Sequence, residues 1–250
     1  MSGTVSLVDA HCHVDLLPQW QRVLQSMEMQ RQYTFAVTTT PKAWLIERDI
    51  TQGFHYVRVG VGLHPQVVCD RASELSILER SIPQTRFVGE VGLDGSVAHK
   101  GSLNEQTRVL RRVLSVCAEV GDRVLSLHSL RAAGAVLDLV EESRVHEHNT
   151  LIFHWFTGSP SELKRALALG ALISVNADML RTERGRACAL AAGLQRTLTE
   201  TDAPFTKAHA ATHSPPDVRP ALDALAQCHA QDLPIVSQKI EALARGIWQR

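Results

Sequence analysis

Val8-Asp9-Ala10-His11-Cys12-His13 is an apolar run that ends in two histidines spaced i, i+2. On a β-strand alternate side chains share a face, so His11 and His13 can grip one cation. The pair alone carries little weight. The chain has 12 histidines, enough for an H-x-H to arise by chance, and a second one, His146-Glu147-His148, stands in polar surroundings. Weight comes from the positions of the other donors: Glu90, His128, His154 and Asp202 each stand at or just beyond the end of a segment that reads as a strand. Burying four imidazoles and two carboxylates without cations would require each to be paired or neutralised. With two divalent cations the same six side chains become a template that activates water and neutralises a developing oxyanion. In that arrangement Glu90 is the natural bridge, and Asp202 can hold one metal and accept a proton from the attacking water.

Those donors need elements to carry them. Apolar runs predict strands over 5–11, 33–38, 55–61, 86–90, 124–128, 150–154, 171–175 and 197–200. Between them, apolar periodicity predicts helices over 16–30, from Pro41 through Ile50, and over 72–81. Another runs from a capping-box spacing at Ser102 and Glu105 to Gly121, and another covers 132–143. Ser159, Pro160 and Glu162 mark the start of a helix that ends at Gly170. A further helix separates the last two strands, and two more, over 217–230 and 235–248, close the pattern. Eight strands alternating with helices are the sequence form of a TIM-type (β/α)8 barrel, here one domain over 1–250, with a doubly wound open sheet as the alternative. In a closed barrel the C-terminal strand ends share one rim, where residues distant in sequence converge. The Pro-, His- and Ala-rich stretch 203–220 reads as a long loop after the eighth strand.

Composition limits what the site can serve. Formal net charge is zero, with 26 basic and 26 acidic residues, so the chain lacks the electrostatics of a protein that coats nucleic acid. End-trimming or a small substrate suits it better than processive binding to duplex. Five cysteines without CxxC spacing read as reduced thiols. With no leader-like start and no apolar run of membrane-spanning length, the expected location is the cytoplasm, with no membrane association. Cys12 lies on the opposite face from the histidines it separates and reads as packing. His64 has two readings, a donor to a substrate phosphate or a cap for the turn before Pro65. Thr157-Gly158-Ser159 could receive an anion at a helix start, although a cap without a ligand is the commoner state. His146, His148, His209 and His213 read as surface residues.

Asp9-Ala10-His11-Cys12-His13, Gly62-Leu63-His64-Pro65, Val88-Gly89-Glu90-Val91-Gly92-Leu93-Asp94, His128-Ser129, His154-Trp155-Phe156-Thr157-Gly158-Ser159 and Glu200-Thr201-Asp202-Ala203-Pro204 together resemble the TatD family of metal-dependent nucleases, in the amidohydrolase-like barrel group. The resemblance implies a metallo-dependent hydrolase barrel that cleaves nucleic-acid phosphodiesters, often at 3′ ends. It implies His11, His13, Glu90, His128, His154 and Asp202 as ligands of two divalent ions (Mg, Mn or Zn), with Asp202, Glu90 and His64 catalytic. Thr38-Thr39-Thr40-Pro41-Lys42-Ala43-Trp44, Leu63-His64-Pro65-Gln66, Gly92-Leu93-Asp94-Gly95-Ser96 and His154-Trp155-Phe156 are similar to one branch, the TatD-like component (QatD) of the Qat antiphage defence system. That likeness implies a bacterial cytoplasm and three partners: the ATPase QatA, QatB and the QueC-like QatC.

The chain departs from the common family pattern at Gln66, Gly95 and Leu130, where a histidine, an aromatic residue and an arginine are usual. It also shows no Arg-Asn-x-Pro element in 211–220. These departures touch substrate choice rather than the ligands. Two other readings keep the metal donors: a hydrolase of an amide, lactone or nucleotide-like small substrate, and a weakly active, metal-bound subunit of a defence complex.

Overall fold

Val, Ile, Leu, Phe and Ala fill the strand positions, and almost every one is buried, as expected for parallel strands covered on both faces. The computed structural model describes residues 5–209 and 216–249. Among these, the strands are β1 (Val8–Cys12), β2 (Tyr33–Val37), β3 (Val57–Gly60), β4 (Phe87–Gly92), β5 (Val124–His128), β6 (Thr150–Phe153), β7 (Leu172–Val175) and β8 (Thr197–Thr199). All eight expected strands form, most with slightly different bounds. The described residues divide into two compact units, one from 5–36, 50–58, 173–209 and 216–249, the other from 37–49 and 59–172.

In the first unit β1 pairs in parallel with β2 (Val8 with Tyr33, Asp9 with Thr34, Cys12 with Ala36), and the register shifts between Asp9 and Cys12. β7 pairs in parallel with β8. β8 is tied to β1 by Thr199 Oγ1, which donates to the Val8 carbonyl, and just beyond it the Asp202 N–H donates to the His11 carbonyl at 2.9 Å. The helix Leu233–Trp248 covers these strands with Val236, Ile240, Ala244, Ile247 and Trp248. Trp248 meets Tyr33 edge to face with ring centres 6.0 Å apart.

In the second unit β4, β5 and β6 are parallel neighbours. The β4–β5 register shifts between Val88 and Val91, a bulge that includes Glu90. Bulges of this kind re-aim a side chain, and one falls at a candidate donor in each unit. Thr38 N–H donates to the Gly89 carbonyl at 3.0 Å, and Glu90 N–H to the Thr38 carbonyl at 3.1 Å. Gly62 is needed beside this ladder: a Cβ there would lie 2.2 Å from the Thr38 carbonyl oxygen and 2.3 Å from the Glu90 nitrogen. Val109, Leu110, Val113, Leu114 and Cys117 form the buried face of helix Leu103–Val120.

Several helix boundaries differ from expectation for local reasons. The helix expected over 16–30 runs only over Trp20–Met29, because Gln19 has φ 55° and a helix cannot pass through that conformation. The stretch 72–81 is a 3-10 turn, Ala72–Glu74, followed by helix Leu75–Ser81. The capping box expected at Ser102 and Glu105 does not form. A 3-10 turn, Lys100–Ser102, leads into the helix, so the Ser102 hydroxyl donates back to the His99 carbonyl and Glu105 pairs with Arg108. The box at Ser159 and Glu162 does form, at the start of helix Pro160–Ala168. The connection between β7 and β8 is two helices, Ala177–Leu180 and Glu183–Ala192. The stretch expected as a loop over 203–220 yields to helix Arg219–Cys228 at its end; residues 210–215, His213 among them, lie outside the described residues. No helix among the described residues is long and apolar enough to cross a membrane.

Candidate metal centres

In the first unit, β1 delivers His11 and, one residue beyond its end, His13; the segment after β8 delivers Asp202. All three are buried. His11 Nε2 lies 3.3 Å from His13 Nε2, and these nitrogens lie 3.6 and 3.7 Å from Asp202 Oδ1. Asp202 has φ 48°, a left-handed conformation that Asp tolerates better than most residues. Asp9 fixes its approach: Asp9 Oδ1 accepts the Thr201 N–H at 2.9 Å, and Oδ2 accepts the Thr201 hydroxyl at 2.7 Å. Burial pushes the Asp9 carboxyl up to about 7, against the opposing effect of these hydrogen bonds. Below this layer Glu200 accepts hydrogen bonds from the Ser174 hydroxyl and the Asn176 amide. Cys12 is fully buried between the histidines, and burial holds its thiol well above the usual range, so it packs as a neutral group.

In the second unit, Glu90 is the hub. Its Oε1 lies 2.7 Å from His128 Nδ1 and 2.9 Å from His154 Nε2, and these two nitrogens are 3.3 Å apart. Its Oε2 lies 3.2 Å from His64 Nε2. Of the two readings of His64, the geometry shows the turn cap. Its Nδ1 accepts the Gln66 N–H at 3.2 Å, capping the turn Pro65–Val67. With Nδ1 occupied as an acceptor, the neutral ring carries its proton on Nε2 and presents a donor toward Glu90.

His128 Nε2 lies 3.2 Å from Asp94 Oδ2, a fully buried carboxylate that also accepts the Gln66 amide at 2.7 Å and, through Oδ1, the Ser96 N–H at 2.8 Å. An ionised Asp94 is acceptor-only, so His128 Nε2 is the donor and Nδ1 is left to face Glu90 and His154. Burial works against ionising Asp94, but hydrogen bonds from His128, Ser96 and Gln66 outweigh it and hold its carboxyl well below the usual range. For His128, burial disfavours the charged ring, yet Glu90 and Asp94 raise its pKa overall.

Both donor sets fit a divalent cation. A cation about 2.0–2.2 Å from each donor leaves neighbouring donors about 3.0–3.6 Å apart. The observed separations, 3.3 to 3.7 Å in the first cluster and 2.7 to 3.3 Å in the second, lie in that range or just outside it, the two Glu90 contacts in the second being the shortest. His64, Glu90 and His128 also group as possible ligands. Thus His11, His13 and Asp202 are brought together, as are His64, Glu90, His128 and His154. Asp9 and Asp94, which support these donors, and Glu200, which binds Ser174 and Asn176, have no role assigned by the sequence pattern. Their signal was a carboxylate within or close beside an apolar strand, where ionised groups are rare unless partnered. The expected surface residue His209 is instead half-buried, with Nδ1 2.7 Å from Thr206 Oγ1 and Nε2 accepting the Asp217 N–H at 3.1 Å. At Ser159 the helix start is satisfied by its own capping box.

The departures also have structural counterparts. Gln66 spends its side chain on Asp94. Gly95 donates to the Leu130 carbonyl at 2.8 Å, and a Cβ there would lie 2.6 Å from the Arg131 carbonyl oxygen. A side chain at position 95 would have to displace the backbone that carries Leu130 and Arg131.

Paired imidazole and carboxylate donors at the C-terminal ends of parallel strands, on this fold, define a TIM-type metallo-dependent hydrolase. The fold is shared with the TatD homologue YjjV of Escherichia coli K12 (TM-score 0.82, 20% identity, 98% of each chain). It is shared also with a TatD family hydrolase of Entamoeba histolytica (TM-score 0.76, 14% identity, 98% of this chain and 99% of that one). The TatD related DNase family matches residues 8–249, and the chain belongs to that family. A stretch of 117 residues is 32% identical to the deoxyribonuclease Tat-D of Schizosaccharomyces pombe; it spans 47% of this chain and 37% of that protein.

Proposed function

We propose that the chain is a single barrel domain acting as a divalent-metal-dependent nuclease, which hydrolyses phosphodiester bonds and trims the ends of nucleic acid. The observation that carries this reading is the two buried clusters, each with two imidazole nitrogens and a carboxylate oxygen within 3.7 Å of one another. Family membership and the deoxyribonuclease among its relatives support the class of bond. His11, His13 and Asp202 would hold one cation, and Glu90, His128 and His154 a second. Such cations supply positive charge against the phosphoryl oxygens and favour ionisation of water.

The chain's own groups do the rest. Asp202 accepts the proton of the attacking water as the new O–P bond forms and the bond from phosphorus to the leaving oxygen breaks; the leaving oxygen takes its proton from solvent. The Nε2–H of His64, aimed by its turn-capping Nδ1, donates to a phosphoryl oxygen. Asp94 and Asp9 hold the donors in register. The zero net charge suits end-trimming rather than tracking along duplex.

The test is chelated protein restored with Mg²⁺, Mn²⁺ or Zn²⁺ and given end-labelled DNA and RNA. Progressive shortening that chelation abolishes and metal restores is expected. Equal cleavage by an Asp202→Ala variant overturns the reading. The likeness to the Qat branch at 38–44, 63–66, 92–96 and 154–156 extends the proposal to antiphage defence in a bacterial cytoplasm, with QatA, QatB and QatC as partners. Co-expressed with a tag on this chain, the four proteins should elute together, and separate elution removes that extension.

A further inference from the structure

We propose that Phe205, with Lys207 beside it, is the platform on which the terminal nucleobase of a single-stranded substrate stacks, an inference that rests on the nuclease reading above. Phe205 is 59% exposed and, among the described residues, is the only Phe, Trp or Tyr that is mainly in solvent. A single exposed apolar residue needs no explanation by itself. This one stands three residues after Asp202 on a segment that is otherwise fastened. The Phe205 N–H donates to the Asp202 carbonyl at 2.8 Å, and the His13 N–H to the Ala203 carbonyl at 2.9 Å. The hydroxyl of buried Thr206 donates to the Thr201 carbonyl at 2.9 Å. Ala203 and Thr206 are buried and Pro204 is half-buried while the ring is exposed, so with these backbone ties its exposure does not come from a loose loop.

The ring has a fixed seat. It meets the His13 imidazole edge to face, with centres 5.1 Å apart and planes at 86°. Anything stacked on it is held beside the first cluster. Lys207 is exposed, its backbone N–H fixed to Asp178 Oδ2 at 2.8 Å, and its ammonium forms no ion pair among the described residues. An aromatic face and a free cation two residues apart form the pairing by which single strands are held without reading sequence, through base stacking and phosphate contact. A base has the π-face to occupy this ring; its adjoining phosphate has the charge for Lys207.

The experiment compares two single-stranded oligonucleotides that differ only in whether the terminal nucleotide carries a base. On the normal strand Phe205→Ala should raise KM about 10-fold, within the roughly 5- to 150-fold that loss of one stacked base allows. On the abasic strand the penalty should fall below about twofold, and Phe205→Trp should restore the normal strand, since stacking tolerates any flat ring. Lys207→Ala should weaken both strands alike, because phosphate contacts carry no base information. An unchanged KM for Phe205→Ala, or an equal penalty on both strands, overturns the inference. Titration of the same labelled strands into chelated wild-type and Phe205→Ala protein, read by fluorescence anisotropy, separates the two claims. Base-dependent binding without cleavage by wild type keeps the stacking site and removes the nuclease reading. Cleavage without base dependence removes the stacking site alone, and neither binding nor cleavage removes both.

Discussion

The cluster on β1 and β8 and the cluster on β4 to β6 present the same donors, two imidazoles and a carboxylate, but assemble them by opposite routes. In the first, the imidazoles are neighbours on one strand and the carboxylate comes from the other end of the fold's sequence, tied in across 192 positions by Asp9 and Thr201. In the second, each donor comes from its own strand, and the strands are consecutive in both sequence and sheet. The supports differ too. Asp9 supports the first cluster through the backbone and hydroxyl of Thr201, whereas Asp94 touches the His128 ring itself. One cluster is positioned through its chain, the other through a side chain, and the two should fail differently when disturbed.

The largest expected effect removes the carboxylate of either cluster. Asp202→Ala and Glu90→Ala should each lower turnover on end-labelled DNA by about 10³-fold, the scale of losing a general base or charge template. Near wild-type turnover in Glu90→Ala alone would show that the clusters are not equivalent, whereas the same result in Asp202→Ala would overturn the nuclease reading. Metal content sharpens the contrast at the next level. The double variant His11→Ala/His13→Ala should lose one bound ion and keep the other, and His128→Ala/His154→Ala the reverse, as counted by native mass spectrometry. Loss of both ions from either variant would mean the clusters load as one.

Smaller effects follow from the supports. Asp94→Asn removes the charge behind His128 and should weaken metal binding by about 10- to 100-fold at the second cluster only, measured by competition with a chelating dye. The smallest effect is that of pH on the metal-free protein. His128 has a raised pKa in the folded state, so its contribution to stability is complete below the ordinary histidine value of about 6.5 and disappears as pH rises through the folded value. Melting of chelated protein should therefore lose stability over that interval, while the stabilisation by added metal grows because the proton no longer competes. A melting temperature flat with pH would show that Glu90 and Asp94 do not hold that proton.

The two clusters also differ in what the sequence reveals. His11 and His13 are visible as a spacing, because a strand's period of two puts them on one face without reference to anything distant. Glu90, His128, His154 and Asp202 are visible as strand ends, since the strand pattern is a local property of buried apolar runs. Asp94 and Asp9 are not visible in that way. Their roles depend on which side chain lies opposite after folding, and a hydrogen bond between residues 34 positions apart leaves no periodic trace. The misplaced cap at Ser102 has the same origin. The spacing to Glu105 was right, but a preceding 3-10 turn changed the backbone angle and gave the hydroxyl another partner.

The tie between β1 and β8 also sets a schedule. At about 5–20 residues per second, His11 and His13 leave the ribosome roughly 10–40 s before Asp202 does. All donors of the second cluster have been made by residue 154, within one continuous stretch of synthesis. A chain still being translated can therefore offer a complete donor set to a cation at β4 to β6 while the histidines of β1 wait for their carboxylate. The order in which the two donor sets are completed follows the order in which the residues are made.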